Sequence, residues 1–278
     1  MPSAVYTLPL PVRLYDLDLR GEVSNGTLFR YFEEAAIQAS AHAGFTMEWY
    51  NSRGQFWVIR TMRMERSAPA CFGDELQIRT WVSSLARVRS DRNYVLRRGR
   101  DGQVLARATA NWVYLDVKTM YPARIAPEIA EMFGNPEPAA LPPRPRPRWL
   151  SAPPRELQSV SARRAQYYEA DSARHTNNAM YVDWLEEAVR GTLLANGYAL
   201  PLDNPPSLWF HRHSIEYLNA ARPGDPVEIS TRLAGRARSA GYWVQEIRRA
   251  GSGERIARNE CMTVWRGVDN RLTTWDQL

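Results

Sequence analysis

Eight consecutive residues, Asp171-Ser172-Ala173-Arg174-His175-Thr176-Asn177-Asn178, bring a carboxylate, an imidazole and two amides into one short loop. A carboxylate just ahead of a helix can activate water or attack a carbonyl carbon itself. The unpaired N–H groups of the helix's first turn, helped by the positive end of its dipole, can hold the oxyanion that develops. His175 follows Asp171 by four residues, and an imidazole with a reference pKa of about 6.5 suits proton transfer or the orientation of water. Asn177 and Asn178 are equally suited to capping the helix and to orienting a substrate. The candidate catalytic set is therefore Asp171, His175, Asn177 and Asn178.

A loop aspartate is often only a turn former, so one copy would prove little. This one recurs. With Asp18 laid on Asp171, six of the 28 pairs from Asp18 to Phe45 are identical: Asp18 with Asp171, Asn25 with Asn178, Glu33 with Glu186, Glu34 with Glu187, Ala35 with Ala188 and Gly44 with Gly197. An offset shorter by two residues keeps the halves in step from Glu65 to Tyr114, pairing Gly73-Asp74 with Gly224-Asp225 and Arg97-Arg98 with Arg248-Arg249. Similarity over such a distance means a duplicated domain, not a solenoid. Glu22 replaces His175 in the first copy, so the two loops are chemically unequal and the second is favoured. Asp18 and Glu22 stand as second-site candidates. Of each Glu-Glu pair, one member should be solvated and the other either a hydrogen-bonded structural carboxylate or a further acid, with structure favoured.

The elements that must position these residues follow the same order in each half. A short strand carrying Tyr15 or Tyr167 leads through the loop into a helix. Its apolar positions Leu28, Phe32, Ala35 and Ala39 recur as Tyr181, Leu185, Ala188 and Thr192. Ser24 or Asn25 and Asn177 or Asn178 are the expected N-caps, and Gly44 and Gly197 the expected stops. Strand-like runs follow from Phe56, from Glu75, and from Arg92 through a turn at 100–102 into Val104–Leu115. A long helix followed by an antiparallel meander predicts an α+β domain in which the sheet wraps a nearly buried helix. The expected organisation is residues 1–120 as the first domain, 121–160 as a crossover and 161–278 as the second. Eight of the chain's 19 prolines lie between Asn135 and Pro154, which reads as a stiff, polyproline-like linker.

Composition narrows the classes. The 278 residues are 44% hydrophobic and 24% charged, as in an ordinary globular protein, with no long apolar run and no signal-peptide pattern, so a cytoplasmic protein without a membrane span is expected. Two cysteines, Cys71 and Cys261, make neither a disulfide framework nor a zinc site. His211 and His213, two apart on a strand, should share one face and line a core or pocket, since no further metal ligands accompany them. No phosphate-binding glycine loop, GxSxG elbow or HExxH pattern occurs, so no cofactor and no metal is expected. The net charge of +6, carried almost wholly by arginine, permits an acidic partner, nucleic acid or a membrane surface.

The Asp-containing loop leading into Asn-Asn, Tyr and Glu-Glu-Ala resembles the hotdog-fold thioesterases. The tandem arrangement is similar to the acyl-ACP thioesterases of plants and their bacterial relatives. The resemblance spans roughly Ser3 to Lys118 and Ala162 to Gly267, and implies a tandem (double) hotdog fold. It places Asp18 where the 4-hydroxybenzoyl-CoA thioesterase type has its aspartate, and Asp171 and His175 in the Asp-x-Asn-x-His-x-Asn-Asn loop of the plant enzymes. Two departures stand out: Ala173 replaces an asparagine, and Ala220-Ala221 replace a Glu-Cys pair, although Cys71 falls at the corresponding place in the first half. The implied activity is hydrolysis of fatty acyl thioesters carried on acyl carrier protein, preferred, or on coenzyme A. Arg97, Arg98, Arg100, Arg163, Arg164, Arg248 and Arg249 are candidate docking residues for an acidic carrier, and equally candidates for ordinary exposed strand positions or for meeting the phosphates of coenzyme A. The rival reading is a non-catalytic acyl-binding or sensing protein on the same fold. No nucleic-acid partner is expected. A tandem pairs its two domains internally, which predicts a monomer or a homodimer.

Overall fold

The computed structural model describes residues 5–133, 138–141, 147, 150–153, 155–200, 207–267 and 272–275. The chain divides into two compact units, Met1–Pro143 and Arg144–Leu278. In the first unit, β1 (Tyr6–Pro11) leads through a 3-10 turn and a loop into α1 (Asn25–His42), then α2 (Met47–Arg53), β2 (Gln55–Arg66), β3 (Glu75–Leu85), β4 (Arg89–Arg98), β5 (Val104–Asp116) and α3 (Pro127–Phe133). The second unit runs β6 (Gln158–Arg164), α4 (Met180–Ala195), β7 (Ser207–Tyr217), β8 (Pro226–Arg236), β9 (Ala240–Arg249) and β10 (Arg255–Arg266). The strands are antiparallel in the order β1-β3-β4-β5-β2 in the first unit and β6-β8-β9-β10-β7 in the second. Each unit is thus one long helix packed on a five-stranded sheet, the hotdog arrangement expected for both halves.

All eight helix positions predicted to face the core are buried, from Leu28 and Phe32 to Leu185 and Thr192. Phe32 lies 5.2 Å, ring to ring, from Tyr94 of β4. Fully burying one such ring contributes about 2–3 kcal/mol. Gly44 and Gly197 both take positive φ just past the helix ends, where a left-handed residue closes the last turn.

The duplication extends to irregularities of the backbone. The β2/β5 register skips Arg60, β3/β4 skips Ser83 and β4/β5 skips Leu105. In the second unit the skipped residues are His211, Ala234 and Ile256, each 151 positions later. A bulge shifts the alternation of faces by one residue. That shift corrects the expectation for the histidines: with His211 as the bulged residue, it and His213 do not share a face. His213 is fully buried beside Phe210, whereas His211 is half-buried beside Trp209.

Other expectations also change. Tyr15 and Tyr167 lie on exposed 3-10 turns that follow the first strands, not within them. Within the 121–160 segment read as crossover, Pro127–Phe133 form α3, whose Ile129 and Phe133 pack with Phe45, Tyr50 and Tyr114. Residues 138–141 lie along the first unit's sheet: Trp81 Nε1 donates to the Pro138 carbonyl and the Ala140 N–H to Asn93 Oδ1, each at 3.0 Å. Most of the proline-rich stretch 135–154 falls outside the described residues.

Candidate active site

The two aspartate loops have one backbone design. Asp18 N–H donates to the Glu22 carbonyl at 2.7 Å, as Asp171 N–H does to His175 at 3.0 Å. Val23 N–H reaches the Ala70 carbonyl and Thr176 N–H the Ala221 carbonyl, each at 2.8 Å, pinning both loops to the turn after the second strand of their unit. In an antiparallel pair the residues joined by such a bond project side chains to one side, with Cβ atoms about 5 Å apart. The Asp171–His175 backbone bond closes the turn and sets these two residues opposite one another across it. Each loop needs one left-handed residue. Gly21 supplies it at φ 70°, and Arg174 at φ 61°.

Both loops hang on a structural carboxylate that the sequence reading passed over. Asp16 Oδ2 accepts the Arg13 N–H at 2.7 Å, and Glu169 Oε2 accepts the Gln166 N–H at 2.8 Å. Buried Glu169 also takes Trp184 Nε1 at 3.0 Å and pairs with Arg163 at 2.5 Å. Tyr31, the residue matching Trp184, is buried, and that burial, then the nearby Asp16 carboxylate, drive its pKa far up. The signal was present in the sequence as an acid two residues before each candidate aspartate.

The side chains then diverge. In the first unit, Asp18 is clamped by Arg20 at 2.5 Å, while Glu22 pairs with Arg66 at 3.0 Å and lies 3.9 Å from Arg20. Arg66 is almost wholly buried and also reaches Asn25 Oδ1 at 3.4 Å. Two carboxylates and two guanidiniums thus neutralise one another. In the second unit the positions of Arg20 and Arg66 are Ala173 and Tyr217. Asp171 Oδ1 accepts the Ala173 N–H at 2.9 Å, and neither Asp171 nor half-buried His175 forms an ion pair among the described residues.

The helix entrance differs in detail from expectation. Ser24 caps α1, its hydroxyl accepting the Thr27 N–H. Asn177, its counterpart, accepts the Ala179 N–H on Oδ1 at 2.9 Å and the Met180 N–H on its carbonyl at 3.0 Å, and α4 starts only at Met180. Asn177 thus caps a turn ahead of the helix. Asn178 lies in that turn, its carbonyl held by Tyr217 Oη at 3.1 Å.

Several other sequence candidates are structural. Glu186 is buried, 3.1 Å from His213 Nε2 and 3.3 Å from Arg190, while Glu187 is exposed beside Arg190. Cys71 is exposed, but partial burial, then Glu22 and Asp74, raise its pKa. Cys261 is buried and its thiol is pushed well up. At each sulfur, burial and neighbouring carboxylates outweigh the nearby arginines, the reverse of the balance that activates a thiol. Among the described residues no group of three or more His, Cys, Asp and Glu side chains is placed to hold a metal ion. No described helix is long and apolar enough to cross a membrane. Of the seven arginines expected to dock a carrier, Arg98 and Arg100 pair with Asp74, Arg163 with Glu169, Arg248 with Glu246 and Arg249 with Asp225.

Comparison with known proteins places these loops in context. Residues 3–133 match the model of the acyl-ACP thioesterase N-terminal domain, and residues 166–276 that of the thioesterase-like superfamily. The chloroplastic oleoyl-acyl carrier protein thioesterase 2 of Arabidopsis thaliana is 24% identical over 194 residues, 64% of this chain and 52% of that protein. The chain thus spans about half the length of the curated relatives it matches. A 12:0-ACP thioesterase from Umbellularia californica superimposes with a TM-score of 0.75 at 16% identity, covering 96% of each chain. An acyl-ACP thioesterase from Bacteroides thetaiotaomicron gives 0.74 at 19% identity, covering 94% of this chain and 98% of its own.

Proposed function

Because the chain belongs to the acyl-ACP thioesterase family, we propose that it hydrolyses fatty acyl thioesters of phosphopantetheine, with acyl carrier protein preferred over coenzyme A, at the second loop alone. One contrast carries this reading: neither Asp171 nor His175 stands in an ion pair among the described residues, whereas Asp18 pairs with Arg20 and Glu22 with Arg66. The Arg20 guanidinium, 2.5 Å away, occupies the Asp18 oxygen that a substrate water would need. Asp171 has no such partner among the described residues.

Water between Asp171 and the carbonyl carbon loses a proton to the carboxylate as its oxygen attacks. The oxyanion is met by the Asn178 N–H in the turn before α4 and by the positive end of that helix. His175 orients the water and relays the proton taken up by Asp171 to the departing thiolate as the C–S bond breaks, which restores both groups and leaves free acid and thiol. Asn177 holds the turn that presents Asn178. This scheme needs neither the asparagine absent at Ala173 nor a cysteine at Ala221.

Thiol release from a panel of acyl carrier and acyl-coenzyme A substrates tests the reading. Asp171→Asn should lower kcat by about 10²–10⁴-fold and His175→Ala by about 10²-fold. Asp18→Asn should change it by less than about threefold. Full loss on changing Asp18 alone would move the site to the first unit; tight acyl binding without thiol release would identify a sensor.

A further inference from the structure

The duplication supplies an internal control for the surface around the working loop. Three exposed arginines surround it: Arg164 at the end of β6, Arg174 within the loop and Arg222 next to Ala221, whose carbonyl holds Thr176. The matching residues of the first unit are Pro11, Gly21 and Cys71. None of the three arginines stands in an ion pair within 4 Å among the described residues, unlike most of the seven expected to dock a carrier, although Arg222 also acts at longer range on Asp225, whose close partner is Arg249. Arg164 spends one N–H on the Gly224 carbonyl, which leaves its charge in place. Arg174 holds the left-handed conformation that glycine takes without strain in the first unit. The side chain is thus kept against the preference of its own backbone.

Beside these charges stand Tyr167 and Tyr168, 85% and 79% exposed on the 3-10 turn that leads into the loop. Among the described residues neither ring stacks on another ring or on a guanidinium. Exposed tyrosine among unpaired arginines is the composition enriched in the energetic centres of protein interfaces.

We propose that Arg164, Arg174, Arg222, Tyr167 and Tyr168 form the docking rim for an acidic carrier protein that delivers the acyl group to Asp171. The inference rests on the hydrolase reading and goes further, by fixing the carrier and where it lands. Three guanidiniums on three separate segments match a broad acidic surface, and the tyrosines cover apolar residues within it. The carrier's flexible arm then enters beside Arg174.

Binding and turnover are measured separately, so a failed docking surface and a failed hydrolase reading are distinguishable. Affinity is measured with acyl carrier protein bearing a non-hydrolysable amide-linked acyl group, over a salt series. Turnover is measured with acyl-pantetheine, which lacks protein and nucleotide. Arg164→Ser/Arg174→Gly/Arg222→Ser should weaken carrier binding at least tenfold and flatten its salt dependence, with acyl-pantetheine turnover within twofold of wild type. Tyr167→Ser/Tyr168→Ser should weaken binding at least fivefold, and the counterpart Leu14→Ser/Tyr15→Ser should leave it unchanged. Carrier binding within twofold of wild type in both second-unit variants overturns the proposal, as does equal loss in the first-unit control. Coenzyme A binding that weakens while carrier binding holds would also overturn it, by giving the arginines to nucleotide phosphates.

Discussion

Arg174 sets a local conformational cost against a surface charge. A left-handed non-glycine residue costs about 1–2 kcal/mol, and a glycine in its place loses about 0.5–1 kcal/mol through the freedom of the unfolded chain. Arg174→Gly should therefore leave the melting temperature unchanged or slightly raised, whereas Arg→Gly at an ordinary surface site lowers it. A clear fall in calorimetry would reveal folding contacts made by the side chain. Glu186 is the opposite case, a charge held for the fold. His213 and Arg190 surround it, and for Arg190 the nearby Glu186 and Glu187 outweigh burial, which acts to lower its pKa, and raise it. Removing one partner of a buried charge cluster costs about 3–5 kcal/mol, so Glu186→Ala should destabilise by roughly 3 kcal/mol in urea unfolding. Exposed Glu187→Ala should stay within about 0.5 kcal/mol. Equal effects would mean that the cluster is not what holds α4 to β7.

At the scale of elements, the long helices and the meander were legible because their apolar periods run for many residues: Leu28 to Ala39, and Val104 to Leu115, read unambiguously. The loop's backbone frame was legible because Asp171 recurs as Asp18 at a fixed offset, with Glu22 in the place of His175. Short elements were not. α2 and α3 have seven residues each, too few for a period, although Thr46 as cap and Pro127 at a helix start were usable signals. The faces of β7 escaped because alternation cannot reveal a bulge at His211. The pairing of Glu22 with Arg66 escaped because its partners lie 44 residues apart in sequence. The turn preceding β8 offers a pH test. Burial raises the Asp225 carboxyl, but the Arg222 N–H and the Arg249 guanidinium outweigh it and hold its pKa below the ordinary value. A lowered folded-state pKa contributes stability that is present above the unfolded value of about 3.9 and lost as pH falls through the folded one. Asp225→Asn should therefore be less stable than wild type near neutrality, and the gap should close in acid. A gap constant down to pH 2 would mean that the ion pair is not its source.

Over the whole molecule, two units share a backbone more closely than they share residues. His213 stands for Met62, Cys261 for Ala110 and Gln245 for Tyr94, yet the three register shifts keep their places. A bulge fixes which side chains beyond it face the helix, so losing it turns every later residue of that strand over. Deleting Arg60 or His211 should abolish soluble expression or lower the unfolding midpoint severely, while Arg60→Ala or His211→Ala should cost at most about 1 kcal/mol. Deletions tolerated as well as the substitutions would mean that the strands slip freely. The six skipped residues also date the architecture. An ancestral single unit already carried all three bulges when its gene doubled, and descent since then has rewritten side chains freely while admitting no net gain or loss of a residue from Glu65 to Tyr114 relative to its copy.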